Sequence, residues 1–222
     1  VSAVVEQRTP EWFGMRLGKA TASKIADIVA RTKTGYSASR ANYAAQLICE
    51  RLTGTPTEGF SNAAMQWGTD HEADARDAYA FLADVDVAEV GFVPHPKISM
   101  AGASPDGLVG DDGLVEIKCP NTATHIEVLR TGAVADKYIV QMLWQMACTG
   151  RKWCDFVSFD PRLPAELQLL VRRIYRDDER IRSLEAEVVS FLGEIDDAIT
   201  ELNLKYRPVA NDGGAANLLR AG

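Results

Sequence analysis

The sequence lacks the features that would place it in several common protein classes. Its four cysteines, Cys49, Cys119, Cys148 and Cys154, form no C-x-x-C pair, and its three histidines, His71, His95 and His125, show no i, i+4 spacing. Neither a zinc site nor a disulfide framework is therefore indicated. No apolar run approaches the roughly 20 residues that a membrane helix needs, and the opening VSAVVEQRTPEW is too short and too acidic for a signal peptide. These absences predict a soluble, intracellular protein with no membrane partner. Internal repeats, low-complexity tracts and a mid-chain Pro/Gly/Ser linker are also missing, which predicts a single domain over 1–210 and a loose tail over 211–222.

What is present suits a globular fold: 222 residues, 46% hydrophobic and 25% charged, are enough for one substantial core. The net charge of −7 taken alone argues against a nucleic-acid partner, because phosphate binding wants Lys and Arg. Its distribution says more. Residues 1–60 carry a net +3, residues 61–120 a net −8 and residues 121–222 a net −2. An acidic middle third is either a solvated surface or a place where carboxylates gather around a divalent cation.

The first half reads as helical. Pro10 opens a short helix through Leu17, Thr21 or Ser23 caps a second reaching Ala30, and Ser37 to Leu52 forms a third that stops at Gly54. The segment RTKTGYSAS between them reads as a polar, basic loop. A fourth helix is expected over 62–82, since Ala64, Trp67, His71, Ala75, Ala78 and Leu82 keep helical spacing. The period then becomes two. Residues 87–93, 98–104, 114–119, 153–159 and 167–174 are strand candidates, with a helix over 137–149 and a long amphipathic helix from Asp177. That order predicts an α/β or α+β domain with a central mixed β-sheet flanked by helices.

The most informative stretch is Ala103-Ser-Pro-Asp-Gly-Leu-Val-Gly-Asp-Asp-Gly-Leu-Val-Glu-Ile-Lys118. On a strand, Glu116 and Lys118 share one face and Val115 and Ile117 the other, which places an acid beside an amine at the edge of an apolar sheet. Asp106 lies ten residues earlier, within reach of a hairpin. Two carboxylates and a lysine then converge in a way suited to phosphodiester hydrolysis. The acids hold Mg2+, which polarises the phosphoryl oxygen and acidifies a water, and Lys118 orients or deprotonates that water. Read as a bare pattern, Pro-Asp-Gly is also a common turn, and Glu-x-Lys a common solvated ion pair.

Beyond this stretch the chain resembles the PD-(D/E)xK nucleases, and within them the phage lambda exonuclease, or YqaJ-type alkaline exonuclease, group. The resemblance runs through six blocks in order: Trp12-Phe-Gly-Met-Arg-Leu-Gly-Lys-Ala-Thr-Ala-Ser23, Met65-Gln-Trp-Gly-Thr-Asp-His-Glu-Ala-Asp-Ala-Arg76, Ser104-Pro-Asp-Gly-Leu108, Leu114-Val-Glu-Ile-Lys-Cys-Pro120, Tyr138-Ile-Val-Gln141 and Phe159-Asp-Pro-Arg162. It implies a restriction-endonuclease-like core. By position, Asp106, Glu116 and Lys118 would be the catalytic residues. Asp106, Glu116 and the backbone carbonyl of Ile117 would hold Mg2+, with Glu72 helping to hold a second ion and Mn2+ able to substitute. Arg16, Ser23, Ser104 and Gln141 would bind a 5′-phosphate, a guanidinium, two hydroxyls and an amide being able to surround an anion. Lys33, Tyr36 and Arg40 would reach the duplex, and Met65 would wedge apart its last base pairs.

The same resemblance implies a double-strand-specific 5′→3′ exonuclease of phage or prophage origin, working on double-stranded DNA ends in the cytoplasm of a bacterial host. It would release 5′ mononucleotides and leave 3′ overhangs for recombination by strand annealing. A homotrimeric ring around DNA and a single-strand annealing protein would be its partners. Three readings compete. An endonuclease on the same fold would share Asp106, Glu116 and Lys118 but has no need of Arg16, and a decayed DNA-end-binding scaffold would not need the intact acids. A phosphate-free hydrolase using Asp106 and Glu116 as an acid/base pair would leave Lys118 and the other blocks unexplained. The 121–137 segment looks short against the family pattern, and no DNA contact is assigned there.

Overall fold

The computed structural model describes residues 5–57 and 63–207, so the expected tail over 211–222 lies outside the described residues. Helices and short strands alternate in the first half. Helix α1 (Pro10–Arg16) starts with Pro at its first turn and with the Thr9 hydroxyl accepting from the Trp12 amide. Strand β1 (Ala20–Thr21) leads into a 3-10 turn (Ala22–Lys24) and helix α2 (Ile25–Val29). Neither Thr21 nor Ser23 makes the expected side-chain cap: Thr21 stands at the cap position of the 3-10 turn without bonding to it. Helix α3 (Ala38–Thr53) ends, as expected, at Gly54 in the left-handed conformation.

The basic segment before α3 is more ordered than a loop. Arg31–Thr32 (β2) and Gly35–Tyr36 (β3) pair as a hairpin, and Arg31 and the Tyr36 hydroxyl both donate to Glu187, at 2.6 and 2.7 Å. Helix α4 (Ala63–Ala83) follows. The strand expected over 87–93 is divided: Val87–Ala88 (β4) and Val93–Pro94 (β5) join different sheets. Between them the chain passes Gly91, where an added Cβ would sit 2.2 Å from the Val5 carbonyl oxygen.

The remaining strands are β6 (Ala101–Ala103), β7 (Gly107–Val109), β8 (Gly113–Lys118), β9 (Trp153–Phe159) and β10 (Leu169–Tyr175), with helices α5 (Thr122–Thr131), α6 (Asp136–Thr149) and α7 (Asp178–Tyr206). The main sheet has the order β10-β9-β8-β7-β4, with β8 and β9 parallel and the other pairs antiparallel. A second sheet, β1-β6-β5, adjoins it. This is the mixed α/β architecture that the sequence predicts, but β8 is the middle strand of five and not an edge.

Its alternation then sorts the core. Leu114 and Phe156 pack with α6 and α7, whereas Val115, Ile117 and Val157 pack with Ala75 and Tyr79 of α4. Helices therefore cover both faces of β8. Among the described residues no helix is long and apolar enough to cross a membrane, and the four cysteines are unpaired.

Two buried carboxylates in this frame, Asp155 and Asp160, are each held by an arginine. Asp155 on β9 accepts from the Tyr79 hydroxyl and from two guanidinium nitrogens of Arg173, all at 2.8 Å. Arg173→Met should leave that carboxylate short of charge compensation and cost about 3 kcal/mol, read as a lower denaturant midpoint. Asp160, enclosed at the end of β9, is held by Arg162 through bonds of 2.7 and 3.0 Å. Burial alone would raise its pKa, but the Arg162 bonds, aided by Thr122, bring it down to about 2. An acid depressed in the fold contributes stability above its unfolded pKa of about 3.9 and loses it as pH falls toward 2. Asp160→Asn should accordingly melt below the wild type at pH 7, with the gap closing between about pH 4 and pH 2.

Candidate active site

Strand parity places Glu116 on the α6 face of β8, where it is fully buried. Two amides one helical turn apart on α6 donate to it, Gln141 Nε2 to Oε1 at 2.6 Å and Gln145 Nε2 to Oε2 at 2.5 Å. Lys118, two residues along the same strand face, pairs with Oε1. Asp106 stands just before β7, and its Oδ2 accepts from the Ile117 amide at 2.7 Å. The β7–β8 hairpin thus brings Asp106, Glu116 and Lys118 together as the sequence predicts.

Electrostatics mark the cluster. Burial, with the charges of Glu116 and Glu72 adding to it, pushes the Asp106 carboxyl well above its ordinary range. Burial would lower the pKa of Lys118, but Glu116 and then Asp106 outweigh that and hold it above its usual value, so the amine keeps its proton.

Glu72 arrives from α4. It lies on the helical stripe of Ala75 and Tyr79, which turns it toward the sheet; its side chain is 19% exposed against 66% for Asp74. It is therefore not one of the solvated acids of that helix. It pairs with Arg8, and with Arg76 at 3.0 Å.

Among the described residues no three His, Cys, Asp or Glu side chains are grouped to hold an ion unaided. The donor set still fits a hard divalent cation. Asp106 and Glu116 supply carboxylate oxygens, the Ile117 carbonyl is beside them in sequence, and buried acids crowded enough to repel one another gain most from a cation. Remaining positions would fall to water and substrate, as oxygen-rich magnesium sites allow.

The expected phosphate residues divide. Ser104 Oγ accepts from Trp12 Nε1 at 2.9 Å and from Arg16 Nη1 at 3.1 Å, and the Arg16 guanidinium lies 4.1 Å over the Trp12 ring. Burial lowers the Arg16 pKa. Arg16 and Ser23 line one cavity of about 250 Å³ together with Lys19, Lys24 and Tyr43. Gln141 is not with them; it is turned to Glu116.

Of the expected duplex contacts, Lys33 is exposed at the tip of the β2–β3 hairpin and Tyr36 is partly exposed beside it. Arg40 is committed elsewhere: it is buried, donates to the Ile28 carbonyl at 2.9 Å and to Glu194 at 2.6 Å, and stacks on Tyr36. Such burial fits an anchor of α3 better than a free groove contact. The side chain of Met65 lies outside the described residues.

Sequence reasoning missed four contributors. Gln145 braces Glu116, Trp12 braces Ser104, and Arg8 meets Glu72. Arg162 links Asp160 to the Pro120 carbonyl just after β8 and lies 4.3 Å over the Trp67 ring of α4, tying together the elements that carry Glu116 and Glu72.

This arrangement can be set beside known proteins. The sequence pattern of the YqaJ-like viral recombinase domain matches residues 11–152. The chain belongs to this family. The site lies inside the matched span except at Arg8 and the Asp160–Arg162 turn. The chain is similar to the alkaline exonuclease LHK-Exo from Laribacter hongkongensis, at 54% identity and a TM-score of 0.85, over 91% of this chain and 100% of that one. A structure of LHK-Exo in complex with dAMP matches at 55% identity, with the same TM-score and coverage. A phage related exonuclease from Haemophilus somnus 129PT, 16% identical, shares the fold at a TM-score of 0.66 over 83% of this chain and 96% of that one. No curated protein matches the chain. Membership in this family supports a nuclease role, and nucleases of the PD-(D/E)xK type generally use divalent metal ions.

Proposed function

We propose that the protein is a Mg2+-dependent, double-strand-specific 5′→3′ DNA exonuclease that releases 5′ mononucleotides and leaves 3′ overhangs. One observation carries this reading: a carboxylate pair with a charged lysine stands next to a separate cationic cavity, and Ser104, two residues before Asp106, reaches into that cavity's Arg16. The similarity to an exonuclease that has been seen with dAMP supports it.

In this reading Arg16, Ser23 and Ser104 anchor the terminal 5′-phosphate, and the next phosphodiester lies over Asp106 and Glu116. A bound divalent cation would polarise that phosphodiester and acidify a water, and Mn2+ would serve as well, with Glu72 and the Ile117 carbonyl completing the oxygen set. Gln141 and Gln145 hold Glu116 aimed, each amide satisfying one oxygen. Lys118 is protonated where it stands, so its first task is to donate to a water or a phosphoryl oxygen; taking a proton from water requires that it shed one first. Lys33 and Tyr36 would meet the duplex backbone, and Met65 would meet its last base pairs. Assembly as a trimeric ring would keep the enzyme on DNA without tight binding. The new 3′ strand would pass to an annealing protein in a bacterial cytoplasm.

The test digests linear duplexes beside a closed circular plasmid, with Mg2+ and with EDTA. Mg2+-dependent loss of the 5′-ended strand with the circle spared is expected. A cut circle would make the protein an endonuclease, and intact DNA throughout a binding scaffold.

A further inference from the structure

Arg8 is the residue that this reading leaves unused. It precedes α1 in the left-handed conformation, with φ +70°, a backbone that side chains other than glycine rarely adopt. Such outliers persist where neighbouring contacts enforce them, and they point toward function. Here the enforcement is visible: on one side Gln7 Nε2 donates to the Val90 and Pro105 carbonyls, each at 2.8 Å, and on the other Thr9 caps α1. Pro105 is the residue before Asp106. The backbone of Arg8 is thus pinned at the rim of the candidate centre while its side chain stays half exposed.

That side chain meets Glu72, yet Glu72 does not need it for neutralisation. Arg76, one turn along the same helix, already donates to the other Glu72 oxygen at 3.0 Å and is fixed by Glu89 at 2.6 Å. The Arg76 side chain is 17% exposed, whereas Arg8 is 49% exposed. Arg8, Glu72, Arg76 and Asp106 line a single cavity of about 170 Å³. A cation entering beside Asp106 would compete for Glu72 with the more exposed of the two arginines.

We infer that Arg8 is an exchangeable counter-ion: it neutralises Glu72 in the metal-free protein and, once a divalent cation takes over that carboxylate, turns to a DNA phosphate at the same cavity. A guanidinium stays charged throughout, and its planar fork matches phosphate oxygens as well as carboxylate ones. The exchange would couple metal uptake to substrate binding, because each ligand removes an obstacle to the other. It rests on the metal reading of Asp106 and Glu72 given above.

The test uses the full chain as wild type, Arg8→Gly, Arg8→Asn, Arg8→Lys and Asp106→Asn. Glycine and asparagine accept the left-handed backbone, so both remove the charge and keep the turn. Mg2+ alone is titrated by calorimetry without DNA, and binding of a 5′-phosphorylated duplex is then followed by fluorescence anisotropy in Ca2+. Arg8→Gly and Arg8→Asn should bind Mg2+ about fivefold more tightly and the duplex about tenfold more weakly, with Arg8→Lys between them and wild type. Unchanged or weaker Mg2+ affinity in both charge-removing variants, or duplex affinity equal to wild type, would overturn the exchange alone. A wild type that takes up no Mg2+, or takes it up equally after Asp106→Asn, would overturn the metal reading with it.

Discussion

Asp106→Asn should abolish nuclease activity, by about a thousandfold or more, without lowering the melting temperature measured in EDTA. The two halves of this expectation have one cause. Asp106 is a half-buried acid beside Glu116 and Glu72, and desolvation with those charges pushes its carboxyl well above its ordinary range. A carboxyl whose folded pKa lies above the unfolded one burdens the fold at neutral pH, because the unfolded chain sheds that proton more readily than the fold does. Asparagine removes that burden and still offers Oδ1 to the Ile117 amide, which now bonds at 2.7 Å. It cannot supply the negative oxygen a cation needs. Parallel activity and thermal-melt measurements at pH 8 check this; a melting temperature that falls together with activity would assign Asp106 a structural role instead.

Lys118→Ala should also cost activity, by about 10² to 10⁴-fold, the range for a positioned proton donor or acceptor, but with the opposite effect on metal. The ammonium pairs with Glu116 Oε1, the same oxygen that Gln141 donates to. Removing it takes away a cation that competes with a divalent ion for that carboxylate. Mg2+ titrated into Lys118→Ala should therefore bind as tightly as to the wild type or more so, while turnover collapses. Activity within about threefold of wild type would remove Lys118 from the reaction, since a positioned acid or base is worth far more.

Much of this architecture is legible in the sequence where a repeat spans several turns or residues. Strand β9 matches its expected bounds of 153–159, and α6 and α7 begin within a residue of expectation, because their apolar stripes are long. Two-residue strands such as β1, β4 and β5 show no period, and only their partners define them. Helix α5 escaped notice because Thr122, Thr124 and the buried His125 blur its apolar face. Its ends were marked all the same, by Asn121, whose side chain accepts from the Thr124 amide at 2.9 Å, and by Gly132 in the left-handed conformation.

The site divides in the same way. Asp106, Glu116 and Lys118 lie within one hairpin, so strand parity and turn chemistry suffice to bring them together. Their supports come from far off: Gln145 is 29 residues from Glu116, Arg8 is 64 from Glu72 and Trp12 is 92 from Ser104. No local spacing encodes such pairs. Arg40 shows the converse error, since a basic residue next to a polar segment reads as exposed, and only packing against Phe191 and Glu194 of α7 shows it buried.

The central claim is that one site holds both a hydrolytic cluster and an anchor for the strand's own 5′ end. The most direct measurement compares digestion of duplexes bearing 5′-phosphate and 5′-hydroxyl ends by the wild type and by Arg16→Ala. The wild type should prefer the phosphorylated end by about tenfold or more, the worth of a charge-assisted hydrogen bond, and Arg16→Ala should lose that preference while remaining folded. An Arg16→Ala enzyme that still prefers the 5′-phosphate, or a wild type indifferent to it, would contradict the account.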